Sequence, residues 1–200
     1  MKLDIGRCME LAWDVFLKNW LILIVAGLLY TVLSVATLLI LMGPLTAGLS
    51  LLALKALERE DHRVDLGDMF GMFHRFLGLV GMFFLTLVAT VVGLALCVAP
   101  GLFLLTIWIF PFLILVDQQA GVFDSLVRSQ ELVFRAGFWK VFALMLVELA
   151  LSLLPEFVPV AGAIVSFATT PLAFLVVAAA YRQLATSPPL ESNQPIAPAM

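Results

Sequence analysis

Apolar residues run along this chain in three long blocks, 21–54, 77–127 and 141–181, none of which contains a Lys or Arg. A helix that crosses a bilayer needs about 17–25 mostly apolar residues. Each block therefore has room for two helices joined by a tight turn, and the pattern predicts six spans. In the second block Pro100-Gly101 is the strongest helix punctuation, separating 77–98 from 102–116, after which Asp117-Gln118-Gln119 ends the apolar run. In the third, Pro155-Glu156-Phe157-Val158-Pro159 separates 139–154 from 160–184. The breaker pair of the first block, Gly43-Pro44, would leave only residues 45–54 for a second helix. A turn near Ser34 to Thr37 divides the block evenly and places Pro44 inside the second helix.

The second helices share a pattern. Pro44-Leu45 is followed by Lys55 and Leu57, and Pro171-Leu172 by Arg182 and Leu184, at the same offsets; Pro111 lies in the corresponding helix of the middle pair. Three repeats of about 60 residues would account for residues 1–184 as a single transmembrane domain. The competing reading is chance, since prolines are tolerated in membrane helices wherever neighbours satisfy the freed carbonyls. The Pro-rich polar tail, 185–200, is expected to be disordered.

Polar segments precede each pair. Ile5, Met9, Ala12, Trp13, Phe16 and Trp20 recur at helical spacing against Asp4, Arg7, Glu10, Asp14 and Lys18. Asp65 is a candidate N-cap ahead of the stripe Leu66, Met69, Phe70, Phe73, Phe76 and Leu77. Asp124, Arg128, Glu131 and Arg135 place alternating charge along one face of a third helix. Such amphipathic lead-ins lie along the membrane interface. They serve either as a platform for lipid or protein, or as anchors alongside Trp20, Trp139 and Tyr181.

Charge fixes the orientation. All 11 basic residues fall before the first span, between the second and third, between the fourth and fifth, or after the sixth. The intervening turns carry none. Cytoplasmic loops retain Lys and Arg, so both termini are expected in the cytoplasm.

Composition agrees: 63% of the residues are apolar, 12% are charged, and the mean hydropathy is +1.12. Soluble domains are typically about 45–50% apolar and about 25% charged, so this surface is built for lipid. With a net charge of −3 there is no basic field for nucleic acid. Cys8 and Cys97 form neither a disulfide framework nor a metal site. Acids early in the chain interrupt any signal-peptide core.

Little chemistry is on offer. His62 and His74 share a polar loop with several acids, but their spacing matches no standard metal site and a solvated loop explains them. No nucleophile elbow, metalloprotease helix, phosphate loop or intramembrane carboxylate pair is present. Glu148 is the one ionisable side chain well inside a predicted span, a placement that is costly and points to a proton relay or ion site. It would otherwise be a protonated group bonded to a neighbouring helix or reach toward Glu156. Asp117 closes the fourth span at the interface and reads as an end-of-helix residue. Gly27, Gly43, Gly48, Gly78, Gly81, Gly93 and Gly162 read as close-packing points.

Residues 98–129 carry a further signal in Pro100-Gly101, Pro111, Val116-Asp117, Gly121-Val122-Phe123, Ser125 and Ser129, with Pro44 and Gly48 in a G-P-L-x-x-G element upstream. This run resembles the YciC-like bacterial inner-membrane proteins and the broader group related to the membrane domain of glycerophosphoryl diester phosphodiesterases. The resemblance implies a polytopic bacterial inner-membrane protein and no catalytic residues, because the catalytic barrel of such enzymes is a separate domain. The expected molecule is an all-α bundle of six spans in three hairpins with cytoplasmic amphipathic lead-ins. It is expected to be non-enzymatic and without cofactor, acting through contacts with membrane lipids, with a further copy of itself or with another membrane protein, in envelope assembly or maintenance. The alternative is a small transporter or channel subunit using Glu148 and the proline-broken helices. A water-filled cavity reaching Glu148 would favour transport, and a dry bundle with a lipid-sized groove would favour lipid contact.

Overall fold

The computed structural model describes residues 3–37, 40–58, 65–157 and 162–186; His62 and the tail lie outside the described residues. Among the described residues all regular secondary structure is helical.

The first lead-in is α1 (Ile5–Lys18). The Asp4 carboxylate caps it by accepting from the Arg7 N–H at 3.2 Å. At Asn19 the chain bends by 96° into α2 (Trp20–Ala36). After a turn comes α3 (Met42–Glu58), then short 3-10 helices at Leu66–Phe70 and Phe73–Arg75, then α4 (Phe76–Leu96). Two shorter helices follow, α5 (Val98–Ile107) and α6 (Pro111–Gln118). The third lead-in, α7 (Val122–Ala136), bends by 112° into α8 (Phe138–Leu153) at Gly137, whose φ of 97° is readily open only to glycine. The last helix is α9 (Gly162–Ala185).

Two helices form the centre. Around α3 pack α2, α4, α6, α9 and the Leu66–Phe70 turn, while α9 packs on α1, α2, α3 and α8. The periphery is different. Of the 21 residues of α4 only Leu79, Met82 and Gly93 are buried. An apolar surface of that extent cannot face water. Three helical segments, within 66–96, 98–118 and 165–185, are long and apolar enough to cross a membrane, or five if each bent pair is one span.

Several boundaries differ from the sequence pattern. The turn between α4 and α5 falls at Cys97, not at Pro100-Gly101, which lie in the first turn of α5. Proline is tolerated there because the first N–H groups of a helix have no intrahelical partner anyway. Pro44 likewise sits in the first turn of α3, and the first hairpin turns a few residues after Ser34 to Thr37. Pro111 opens α6 instead of interrupting a continuous span. Pro44 thus falls within the second helix as expected, and among the described residues Pro171 is the proline that lies beyond the first turn of an α-helix.

The lead-ins were legible in kind more than in detail. The charged face of α7 is exposed, as its spacing predicts, and Ser125, Leu126, Ser129, Val133 and Ala136 are buried. In α1 the buried residues are Cys8, Ala12, Val15 and Phe16, whereas Met9, Trp13 and, at the start of α2, Trp20 are exposed. The helix packs along α9, tied at its start by a 3.1 Å bond from the Asp4 N–H to Gln183 Oε1, and Cys8, Ala12, Val15 and Phe16 form its inner face. The second lead-in is the pair of 3-10 helices, with Asp65 capping the first through Gly67 N–H at 3.0 Å and Met69 fully buried.

Glycines set the closest approaches. A Cβ on Gly48 would lie 2.0 Å from the Met69 carbonyl oxygen, and one on Gly27 would lie 2.2 Å from that of Phe167. Phe167 is four residues before Pro171, which has no N–H to give that carbonyl. The proline therefore frees the carbonyl that presses on α2, and only glycine accommodates it. Gly43 is similarly tight against the Leu79 carbonyl, Gly162 approaches the Pro155 carbonyl, and a Cβ on Gly93 would sit less closely, 3.0 Å from a Leu104 methyl. Gly78 makes only ordinary contact and Gly81 faces open space, so these two are not close-packing points.

Candidate functional site

Glu148 lies on α8, whose path is set by the bend at Gly137 and by packing on α5 and α9. It is half-buried and lines a cavity of about 240 Å³. Four structural units converge there: α3 with Thr46 and Ser50, the α5–α6 junction with Trp108, α8 with Glu148, and α9 with Phe174. Most of the remaining wall is aliphatic or aromatic, including Phe112 and Met145.

The hydrogen bonding of the polar lining is largely internal. Thr46 Oγ1 donates to the Met42 carbonyl at 2.7 Å, and Ser50 Oγ donates to the Thr46 carbonyl at 2.8 Å. Tyr30 from α2 reaches Thr46 Oγ1 at 3.4 Å and packs edge-on against Phe174. Glu148 accepts from Ser152 Oγ on its own helix at 3.5 Å, a long contact. The Trp108 Nε1–H is buried and has no acceptor among the described residues.

The α5–α6 junction beside the cavity is a broken helix. Residues Trp108, Ile109 and Phe110 leave the helical path, which frees backbone groups at both sides. Ser129 on α7 satisfies both: its Oγ donates to the Ile107 carbonyl at 2.7 Å and accepts from the Phe110 N–H at 3.3 Å. Ser129 and Ser125 are fully buried. Ser125 Oγ donates to the Gly121 carbonyl at 2.8 Å, securing the start of α7.

A second polar assembly joins the C-terminal ends of α3, α6 and α9. Tyr181 donates to Asp117 Oδ2 at 2.7 Å and accepts from Gln118 Nε2 at 3.2 Å, while Arg128 from α7 holds the Gln118 side-chain oxygen. Arg182 pairs with Glu58 and stands 3.5 Å from Asp117. On α3, Lys55 pairs with Asp68 at 2.6 Å. Asp117 is thus the centre of an inter-helix network, more than an end-of-helix residue. Tyr181, at 1% exposure, is buried and does not act as an interface anchor.

The other sequence-singled residues are architectural. Pro44 and Gly48 sit on α3, and Gly101 meets Leu94 in the α4–α5 hairpin. Pro111 starts α6 where the missing N–H costs nothing. His74 stands in a bond to the Gly71 carbonyl, and no metal-ligating cluster occurs among the described residues. An apolar groove of about 280 Å³ also opens between Met9, Glu10 and Trp13 of α1 and Leu151, Leu172 and Val176.

The partners of Glu148 were missed by the sequence reading. Thr46 and Ser50 are four apart on one helix face, which was a usable signal; nothing in the spacing connects them to Trp108 or Glu148. Comparison with protein-family models, with curated proteins and with solved structures finds no match to the chain.

Proposed function

We propose that this chain is a non-enzymatic, multi-pass protein of a bacterial inner membrane. It acts through lipid or protein contacts, holding the headgroup end of a membrane lipid or a small amphiphile in the Glu148 cavity, in the service of envelope assembly or maintenance. The observation that carries this reading is the cavity itself, with apolar walls from several helices and a few polar groups, the arrangement of a small-molecule site. The groove beside Trp13 gives a second apolar seat of comparable size. Membership of the YciC-like family belongs to the same proposal and rests on the resemblance at residues 98–129.

The same proposal includes six spans in three hairpins, formed by α2, α3, α4, the broken pair α5–α6, α8 and α9, with both termini in the cytoplasm. Supporting it, α1, the 3-10 helices and α7 precede the three pairs, and the ends of α3, α6 and α9 that carry charge gather in one network. A channel or transporter subunit is the second reading, favoured by the helix break at Trp108 to Phe110 beside an intramembrane acid, since discontinuous helices mark transporter binding sites.

Native mass spectrometry of the protein released from membranes tests the first reading. The expected result is an amphiphile adduct on the wild type that is lost in Ala173→Phe, which fills the cavity. A bare wild-type mass would overturn it. Ligand-driven charge movement in proteoliposomes, abolished by Glu148→Gln, would instead establish the second reading.

A further inference from the structure

The electrostatics of the cavity are unbalanced, and on the reading of it as a ligand site this imbalance selects the ligand. Glu148 brings an acid, and no Lys, Arg or His is among the lining residues described. The hydroxyl protons of Thr46 and Ser50 are committed to carbonyls of α3, and Thr46 Oγ1 in turn takes the Tyr30 hydroxyl, so neither offers a proton to a ligand and the Ser50 oxygen keeps its lone pairs. Trp108, Phe112 and Phe174 add aromatic rings, whose faces are negative. Against all of these, the one donor without an acceptor is Trp108 Nε1. An anionic head would meet an acid, lone pairs and ring faces together.

We infer that the cavity takes an organic cation, an ammonium group carried on a small apolar body, seated between Glu148 and the rings of Trp108, Phe112 and Phe174. Aromatic faces attract such cations within about 6 Å of the ring centroid, most strongly where water is excluded. The acid supplies the counter-charge that no neighbouring side chain provides. A volume of about 240 Å³ falls below the roughly 300–1,000 Å³ of drug-sized sites, which limits the occupant to a small alkylammonium or the amine end of a lipid headgroup.

Calorimetric titration of tetraethylammonium into the full chain in neutral nanodiscs tests this, beside the uncharged analogue 3-ethyl-3-pentanol. The expected result is saturable binding of the cation and weak binding of the alcohol. Affinity should fall roughly tenfold or more in Glu148→Gln, the loss of one charge-assisted contact. Glu148→Asp, which keeps the charge, should retain most of the affinity and shows that the loss is not misfolding. Competition by phosphatidylethanolamine but not phosphatidylglycerol nanodiscs would identify the cation as a lipid headgroup; equal affinity in both would identify a free solute. Equal binding of the alcohol, or unchanged cation affinity in Glu148→Gln, overturns the cationic inference while leaving a ligand site. Failure of both probes to bind the wild type, or to be excluded by Ala173→Phe, overturns the site as well.

Discussion

The Tyr181 hydroxyl donates a 2.7 Å hydrogen bond to Asp117, joining α9 to α6 across 64 residues of sequence. Asp117 also faces Arg182, which pairs with Glu58 of α3, so one carboxylate ties together the ends of three helices. Tyr181→Phe keeps the ring against Phe110 and removes the bond to Asp117 together with the longer one accepted from Gln118. Hydrogen bonds between membrane helices are worth about 0.6 kcal/mol on average and up to about 1.7, while bonds to charged groups reach about 1.5–3. The expected loss is therefore about 1–2 kcal/mol, read by thermal unfolding in detergent. Asp117→Ala should cost more, because it also removes one of the two acids facing Arg182, and the double variant should be less than additive.

This network shows where the sequence stops being legible. Lys and Arg distribution, apolar block lengths and the wet face of α7 follow from local composition, because each depends only on which solvent a residue meets. The bond from Tyr181 to Asp117 depends on which helices become neighbours, and nothing at either position encodes that. Pro100-Gly101 misled for a related reason: a proline that breaks a helix interior is compatible with its first turn, and the pattern alone does not say which position it holds. Glu148 was singled out by depth alone, whereas its cavity required the break at Trp108 and the packing of α3 against α9.

Ser129→Ala should destabilise the α5–α6 junction. The substitution leaves the Ile107 carbonyl and the Phe110 N–H unsatisfied at a fully buried position. Each orphaned group costs about 1–3 kcal/mol. A loss of about 2–6 kcal/mol is expected on that principle, visible as a lowered unfolding temperature and faster proteolysis around Trp108 to Pro111. A stability equal to the wild type would mean that the break is satisfied otherwise.

Gly48→Ala and Gly81→Ala make a matched pair. At Gly48 the new methyl would enter the space of the Met69 carbonyl, a backbone atom that cannot swing aside, whereas at Gly81 nothing lies within 4 Å. Overpacking of this kind costs about 1–3 kcal/mol. Gly81→Ala should be neutral or slightly stabilising, because it adds helix propensity at an open position. Finding the two variants equally stable in detergent would remove the close approach of Met69 to α3 as a packing constraint.

The two native cysteines test topology without any substitution. Cys97 is exposed at the α4–α5 turn, on the face opposite the charged loops in the six-span arrangement. Cys8 is buried on α1, which that arrangement places on the cytoplasmic side, and burial together with the nearby Asp4 pushes its thiol up to about 11. The thiolate is the reactive form, so a raised value leaves Cys8 almost wholly protonated at neutral pH, with the reactive fraction growing as pH rises toward that value. A membrane-impermeant maleimide applied to intact cells with a permeabilised outer membrane should therefore label Cys97 and spare Cys8. Inverted vesicles should label neither at pH 7, and Cys8 should become reactive once detergent denaturation exposes it. Labelling of Cys97 from the cytoplasmic side of sealed vesicles would reverse the orientation derived from the Lys and Arg pattern.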